Sequence, residues 1–542
     1  MLTRALRRVG VPVVFGVPGA HNLPLVVALR TEGLRFVALH TPQAAVTAAG
    51  GYARRTGKVG VAVAGPGHTP LATLDVVAEA QATEVPLLLL STTRLAPTLP
   101  GPPRDIPGDE PHEQGHAKHH EVLRPSDDVA AVLQQALDAS RSGAAGPVAI
   151  TLAPGFLSAT ARPEPEEDAP AESVTRTPAT SVEHVQLRRA GNLVDASQSV
   201  LIWAGGGALR AGAGGAVAEL AEKVGAPVMT TVQAAGLLPA RHPCLVGMPP
   251  DLPQVGRLWD DADLVISIGT DFDELSTQGL RLPSPDRLIA INVDPVDAGR
   301  HYRPDVLLRG DAKTLTKALA DAVSYRGGTA VVRSRLEEVR GSARRDLQES
   351  DPAEMAFLSA VTAALPDRAT VVIDPCAAGR WLAAFHEWTL PRTLLYPSDI
   401  DLIGYALPAG IGAVTAPSPD PVIVVIGDQG LLSQLGELTV MAREGLPVTV
   451  LVVDDGGPGR LRSAMQGVEG GGGLDHEGPD LAATARTFGL RADTVEQMGE
   501  TLTTALRAHI DAADPTVLVV KAALRQPPTD QSRWYRRPEP AA

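Results

Sequence analysis

Along most of the chain, short runs of β-branched and aliphatic residues alternate with stretches in which apolar side chains recur every third or fourth position. The first pattern marks strands buried on both faces, and the second marks helices packed along one side. Strand-like runs fall at 13–15, 36–39, 59–63, 87–90 and 148–152, then at 200–203, 264–268 and 288–293, and finally at 371–373, 394–396, 422–426, 448–453 and 516–521. Strands that alternate with helical stretches predict parallel, doubly wound α/β sheets. Between the first two series, Pro163, Pro165, Pro170 and Pro178 stand among acidic and hydroxyl side chains, the composition of a linker. A charged stretch from Arg333 to Arg345 reads as an exposed helix or a second linker. The expected fold class is therefore α/β with three doubly wound parallel-sheet domains, at 1–160, 184–325 and 352–525. Linkers at 161–183 and 326–351 and a tail at 526–542 complete the division.

Composition narrows the class of protein. Of the 542 residues, 44% are hydrophobic but only 3% aromatic, so the cores must be aliphatic. A net charge of −14 without a basic cluster argues against nucleic acid as a partner. No apolar run approaches the roughly 20 residues of a membrane span, so no membrane partner is expected. The pattern of a folded domain begins directly after Met1, without the features of a secretory leader, and the two cysteines, Cys244 and Cys376, form no disulfide framework. A cytoplasmic protein is the expectation.

The most informative stretch is 422–460, VIVVIGDQGLLSQLGELTVMAREGLPVTVLVVDDGGPGR. It reads as strand, turn, helix and strand, with Gly445 and Pro447 ending the helix. In a parallel βαβ unit both strands end at the same edge, which brings Asp428 and Asp455 together. Two carboxylates there suit a hard divalent cation. The helix that opens after Asp428 aims free N–H groups and its positive dipole end at the same place, which suits phosphate. A metal-bridged diphosphate fits both features; an acidic surface turn is the plain alternative. The glycines 205–207 invite a nucleotide-loop reading, but without an acidic ribose partner a tight strand-to-helix turn explains them better.

The spacing of Gly427-Asp428-Gln429-Gly430 and Asp454-Asp455 resembles the thiamine diphosphate (ThDP) signature of the acetolactate synthase and pyruvate decarboxylase superfamily, GDG followed about two dozen residues later by NN. Collinear motifs carry the resemblance across nearly the whole chain: VFGVPG at 14–19, GYAR at 51–54, GPG at 65–67, GAPV at 225–228, GTD at 269–271, NVDP at 292–295, GD at 310–311 and IGYALPA at 403–409. The resemblance implies pyrimidine-binding, middle and diphosphate-binding domains in that order. It implies ThDP and Mg²⁺ as cofactors, with Asp428, Asp455 and the carbonyl of Gly457 on the metal. Gly427, Gln429 and Gly430 would line the diphosphate, Ile403 would wedge beneath the cofactor, and the backbone around Asp401 would face its aminopyrimidine. A homodimer or homotetramer with active sites between subunits follows from the same likeness. Some relatives also bind FAD in the middle domain, and nothing in the residues decides that point.

One departure stands out. Relatives place a glutamate ten residues before the tyrosine of GYAR, where it protonates the aminopyrimidine. Ungapped counting puts Pro42 there, and a shift by one puts Gln43 there. Neither is an acid, although Thr41 and Pro42 make a good helix start. Glyoxylate carboligase, a branch of the family, also lacks this glutamate. By further resemblance His68, after GPG, would face the thiazolium. His112 and His116, in a histidine-rich stretch, would face substrate, or belong to a polar surface loop. Arg460 and Arg462 are suited to a carboxylate through their forked guanidinium groups, or are solvated on a glycine-rich loop that could act as a lid. The implied activity is decarboxylation of a small-molecule 2-oxo acid with ligation of the product to a second carbonyl. Simple decarboxylation, and a weakly active or inactive ThDP-binding partner subunit, stand as alternatives. The aromatic tail Arg533-Trp534-Tyr535-Arg536-Arg537 would dock over the active site or hang free.

Overall fold

A computed structural model describes residues 1–64, 72–92, 117–153, 155–158, 183–397, 400–457 and 478–530. The first sheet consists of β1 (Val13–Gly16), β2 (Arg35–Ala38), β3 (Gly60–Ala64), β4 (Leu87–Thr92), β5 (His119–Leu123) and β6 (Pro147–Leu152), in the order β2-β1-β3-β4-β6-β5. The second comprises β7 (Val200–Ala204), β8 (Val228–Thr230), β9 (Leu264–Ile268), β10 (Leu288–Asn292) and β11 (Val306–Arg309), in the order β11-β10-β9-β7-β8. The third comprises β12 (Thr370–Ile373), β13 (Leu394–Leu395), β14 (Val422–Gly427), β15 (Val448–Asp454), β16 (Arg491–Val495) and β17 (Thr516–Lys521), in the order β13-β12-β14-β15-β17-β16. Neighbouring strands run parallel in all three sheets. The fold is three α/β units, and the first and third share one strand order.

That order places a crevice. In the third sheet the chain leaves β12 for the edge at β13 and returns on the other side at β14, so the strand ends of β12 and β14 open at a point where the winding reverses. Ligands of open α/β sheets bind at such points. β14 and β15 are buried almost throughout, which follows from their unbroken runs of Val, Ile and Leu. The edge strands β5 (HHEVL) and β16 (RADTV) carry polar, partly exposed residues and lack such runs. The charged stretch around 333–345 lies in a helix, Thr329–Ser350, that buries only Leu336, Ala343 and Leu347.

A single aliphatic core joins the first and third domains. Its centre is the crossing of helix Pro42–Thr56 with helix Ala406–Val414. The backbones touch there: a Cβ on Gly51 would lie 2.0 Å from the Ala409 carbonyl oxygen, and one on Gly412 would lie 1.7 Å from that of Ala48. Glycine is required because the partner at each point is backbone and cannot rotate away. Among the described residues no helix is long and apolar enough to cross a membrane.

Adjacent glycines of one helix test this contact. A Cβ on Gly50 would meet nothing within 4 Å. Gly50→Ala is therefore expected to be neutral or to raise stability by up to ~1 kcal/mol through helix propensity. Gly51→Ala should cost ~3 kcal/mol or more by forcing the helices apart. Unfolding midpoints of the two variants measured side by side check the contrast.

Candidate functional site

β14 and β15 pair in parallel with Gly427 opposite Val453, so the residues that follow them emerge side by side. Asp428 is buried, and Gln429 folds back over it, donating from its backbone N at 2.7 Å and from its side-chain amide at 3.4 Å. Burial pushes the Asp428 carboxyl above its ordinary range; the Gln429 donors and the Gly457 N–H oppose that shift, and the Asp454 charge adds to it. Gly457 also donates to Asp455 Oδ1 at 3.3 Å. Its amide therefore stands between the two carboxylates. Asp454 accepts from Gly456 N at 3.0 Å and pairs with Lys521. Gly456 and Gly457 have φ of 77° and 142°, backbone that a side chain would strain.

This cluster can be tested against the metal–diphosphate pair that the motif implies. Among the described residues no group of three or more His, Cys, Asp and Glu side chains converges on one point. A cation at Asp428 and Asp455 would thus draw its remaining ligands from backbone, water and a bound oxyanion, the habit of Mg²⁺. Burial of the Asp428 carboxylate outweighs the donors from Gln429 and Gly457. These residues fit the pair.

Beside the cluster lies a third strand-end carboxylate, Asp374, which sequence reasoning did not single out. It leaves β12 fully buried, accepts from Gly404 N through Oδ2 and from Ala406 N through Oδ1, each at 2.7 Å, and burial pushes it up to about 7 against the pull of those amides. Its signal was present: an apolar strand run ending in Asp, the same signature that exposed Asp428. Next to it Asp401 adopts a left-handed φ of 56° and is held by Arg380 at 2.7 and 3.0 Å. Ile403 projects from this turn with 67% of its surface exposed, an unusual setting for an isoleucine amid an aliphatic core.

Position 42 belongs to a separate face. Thr41 Oγ1 accepts from Ala44 N at 3.1 Å, Pro42 is the first helical residue, and Gln43 follows within the first turn. The preceding turn is tied to the third domain. Glu437, buried on helix Leu435–Glu444, accepts from His40 N at 3.0 Å. Burial pushes its carboxyl up, while His40 and the Thr41 amide pull it down. A lone glutamate on an amphipathic helix gives no sequence signal of this kind. His68, His112, His116, Arg460, Arg462 and the aromatic tail lie outside the described residues. His119 and His120 sit on edge strand β5, bonded to Glu121 and Thr151, both at 2.9 Å.

A cavity of about 990 Å³ lies where all three domains meet, lined among others by Arg54, Arg210, Arg392, Gln233, Gly207 and Asn292. Burial, with Arg392 and Arg54 nearby, lowers the Arg210 guanidinium to about 9, and Arg210 pairs with Glu84.

Three family profiles match the chain: the N-terminal TPP binding domain of thiamine pyrophosphate enzymes over residues 1–120, the central domain over 187–319 and the C-terminal TPP binding domain over 376–520. A relative from Pseudomonas aeruginosa named "Probable 2-ketoarginine decarboxylase" is 30% identical over 535 residues, covering 96% of this chain and 93% of its own. An acetolactate synthase of Mycobacterium bovis is 31% identical over 480 residues, covering 85% of this chain and 76% of its own. The solved structure of a protein from Mycobacterium smegmatis, described as a thiamin diphosphate-dependent enzyme, shares the fold with a TM-score of 0.75 at 22% identity, covering 96% of this chain and 98% of its own. With strand ends, motifs and full-length relatives in agreement, the chain belongs to the thiamine diphosphate-dependent enzymes, in their acetolactate synthase-like superfamily.

Proposed function

We propose that the protein binds ThDP with Mg²⁺, removes CO₂ from a 2-oxo acid and joins the remaining fragment to a second carbonyl. One observation supports this reading: β14 and β15 run side by side to a topological switch point, and the Gly457 amide that donates to Asp455 also acts on Asp428. The cofactor, when bound, supplies an electron sink for the pair left behind as CO₂ departs. Asp428 and Asp455, with the Gly457 carbonyl, would hold the metal, and the turn 427–430 would receive the diphosphate. Ile403 would give the cofactor an apolar shelf, which accounts for an isoleucine left uncovered. A homodimer or homotetramer would complete each site with a partner's first domain.

At position 42 this chain offers neither a proton nor a place to store one. Thr41 and Pro42 make the helix start, but neither side chain can give acid–base assistance there. General acid–base groups contribute ~10²- to 10⁴-fold, so activation of the cofactor should be slowed by that order. The likeness over 96% of the chain to a relative named as a decarboxylase favours a second reading, in which the product is released as an aldehyde without ligation. A ThDP-binding partner subunit with little activity is the reading Pro42 favours. The retained metal carboxylates weigh against it.

Purified protein supplied with ThDP, Mg²⁺ and a panel of 2-oxo acids should release CO₂ with one of them, and product analysis separates hydroxyketone from aldehyde. Stoichiometric ThDP binding with no turnover on any substrate would contradict the enzyme reading. Asp428→Asn should weaken Mg²⁺-dependent ThDP binding about 10- to 100-fold. Because burial raises the Asp428 pKa, protons should compete with the metal at a higher pH than for an ordinary carboxylate. Affinity is therefore expected to fall as pH is lowered, and at a correspondingly higher pH than in a free aspartate site. Pro42→Glu places a carboxylate in the first helical turn, where the dipole tolerates it. Exchange of the cofactor's C2 proton, followed by NMR, should then accelerate roughly 10²-fold or more. An unchanged rate would move the vacated position to Gln43 or elsewhere.

A further inference from the structure

Ile403 is two-thirds exposed, so little packing of its own fixes its direction. The backbone on either side of it is what the fold holds. C-terminal to it, Asp374 Oδ2 takes the Gly404 N–H and Oδ1 takes the Ala406 N–H, both at 2.7 Å. On the other side, Glu79 Oε2 takes the Ile400 N–H at 3.0 Å. Both carboxylates are buried, at 2% exposure each. Glu79 belongs to helix Leu74–Ala82 of the first domain and shares its other oxygen with Arg54 at 3.2 Å. Arg54 in turn donates to Gln233 of the middle domain at 2.9 Å and to the Tyr396 carbonyl at 3.1 Å.

We propose that Asp374 is a positioning residue for the cofactor: by taking the N–H groups of Gly404 and Ala406 it fixes the Ile403 shelf, with Glu79 anchoring the other end of the turn. The inference rests on the reading of Ile403 as a cofactor support. The requirement for a carboxylate at 374 is geometric. Two divergent backbone donors need one acceptor oxygen each, and an amide would turn its NH₂ towards one of them. The site is too buried for water to take over the lost bond. Space is also fixed, because a Cβ on Gly430 would lie 2.2 Å from Asp374 Oδ2. The carboxylate thus packs beside Gly430, while both its oxygens are bonded to the turn that carries Ile403.

The test separates the shelf from the diphosphate cradle. Inorganic diphosphate with Mg²⁺ needs only the cradle, whereas ThDP with Mg²⁺ needs the shelf as well. Calorimetric titration of the full chain is expected to show Asp374→Asn weakening ThDP at least about tenfold, as for other partners that orient a binding group, with diphosphate changed less than about twofold. Ile403→Ala should give the same selective loss, and the double variant should be no weaker than Ile403→Ala alone. Equal losses for both ligands, no loss for ThDP, or full additivity in the double variant would overturn the inference. If Ile403→Ala itself leaves ThDP affinity unchanged, the shelf reading fails and the positioning role with it. A selective effect of Ile403→Ala beside a silent Asp374→Asn removes the positioning role alone. Should Asp374→Asn fail to fold, Glu79→Gln decides the matter: it keeps an acceptor for Ile400 N and should show a smaller loss confined to ThDP, whereas a loss shared with diphosphate would overturn the proposal.

Discussion

The parallel pairing of β14 with β15 is the constraint on which the site depends. Register with Gly427 opposite Val453 leaves no freedom in where Asp428, Asp455 and Gly457 emerge, and the unbroken aliphatic character of both strands makes a slip costly. β12 lies on the other side of β14 and delivers Asp374 to the same edge. Asp374, Asp428 and Asp455 thus all follow strands that end at one edge of the sheet. Their burial is unfavourable in isolation. Backbone amides from Gln429, Gly404, Ala406 and Gly457 offset part of that cost, and a cation would offset more of it at Asp428 and Asp455.

The second constraint is the fusion of the first and third domains through one core. Helices Pro42–Thr56 and Ala406–Val414 meet backbone to backbone at Gly51 and Gly412, and Glu437 clasps the turn at His40. The start of the Pro42 helix is therefore fixed by its own cap and by the third domain together. Such a start needs Thr41 and tolerates proline, but it has no need of an acid. The scaffold around position 42 is thus set by the cap and the third domain, independently of any acid chemistry there.

Much of this was legible in the residues. Continuous apolar runs announced the central strands, and the Asp that follows the run 422–426 pointed to the carboxylates at these strand ends. The edge strands β5 and β16 were not legible, because half-exposed strands with His, Glu, Arg and Asp lack the runs that betray a buried one. Asp374 carried the same strand-then-Asp signal as Asp428 without a second motif to draw attention to it. Glu79 and Glu437 could not be read at all. Each is a single glutamate on a helix, indistinguishable from a solvated one until the third domain is docked against the first. Sequence periodicity reports which face of an element is buried, and is silent on which other element covers it.

The central proposal is that the strand-end carboxylates form a working cradle for Mg²⁺ and diphosphate in a chain whose first-domain helix opens with Pro42 rather than an acid. Equilibrium titration of the protein with ThDP, in the presence and absence of Mg²⁺, addresses it most directly. The account predicts one ThDP bound per chain, dependent on Mg²⁺ and reversed by a chelator. Absence of saturable ThDP binding at any Mg²⁺ concentration, or binding indifferent to the metal, would contradict it.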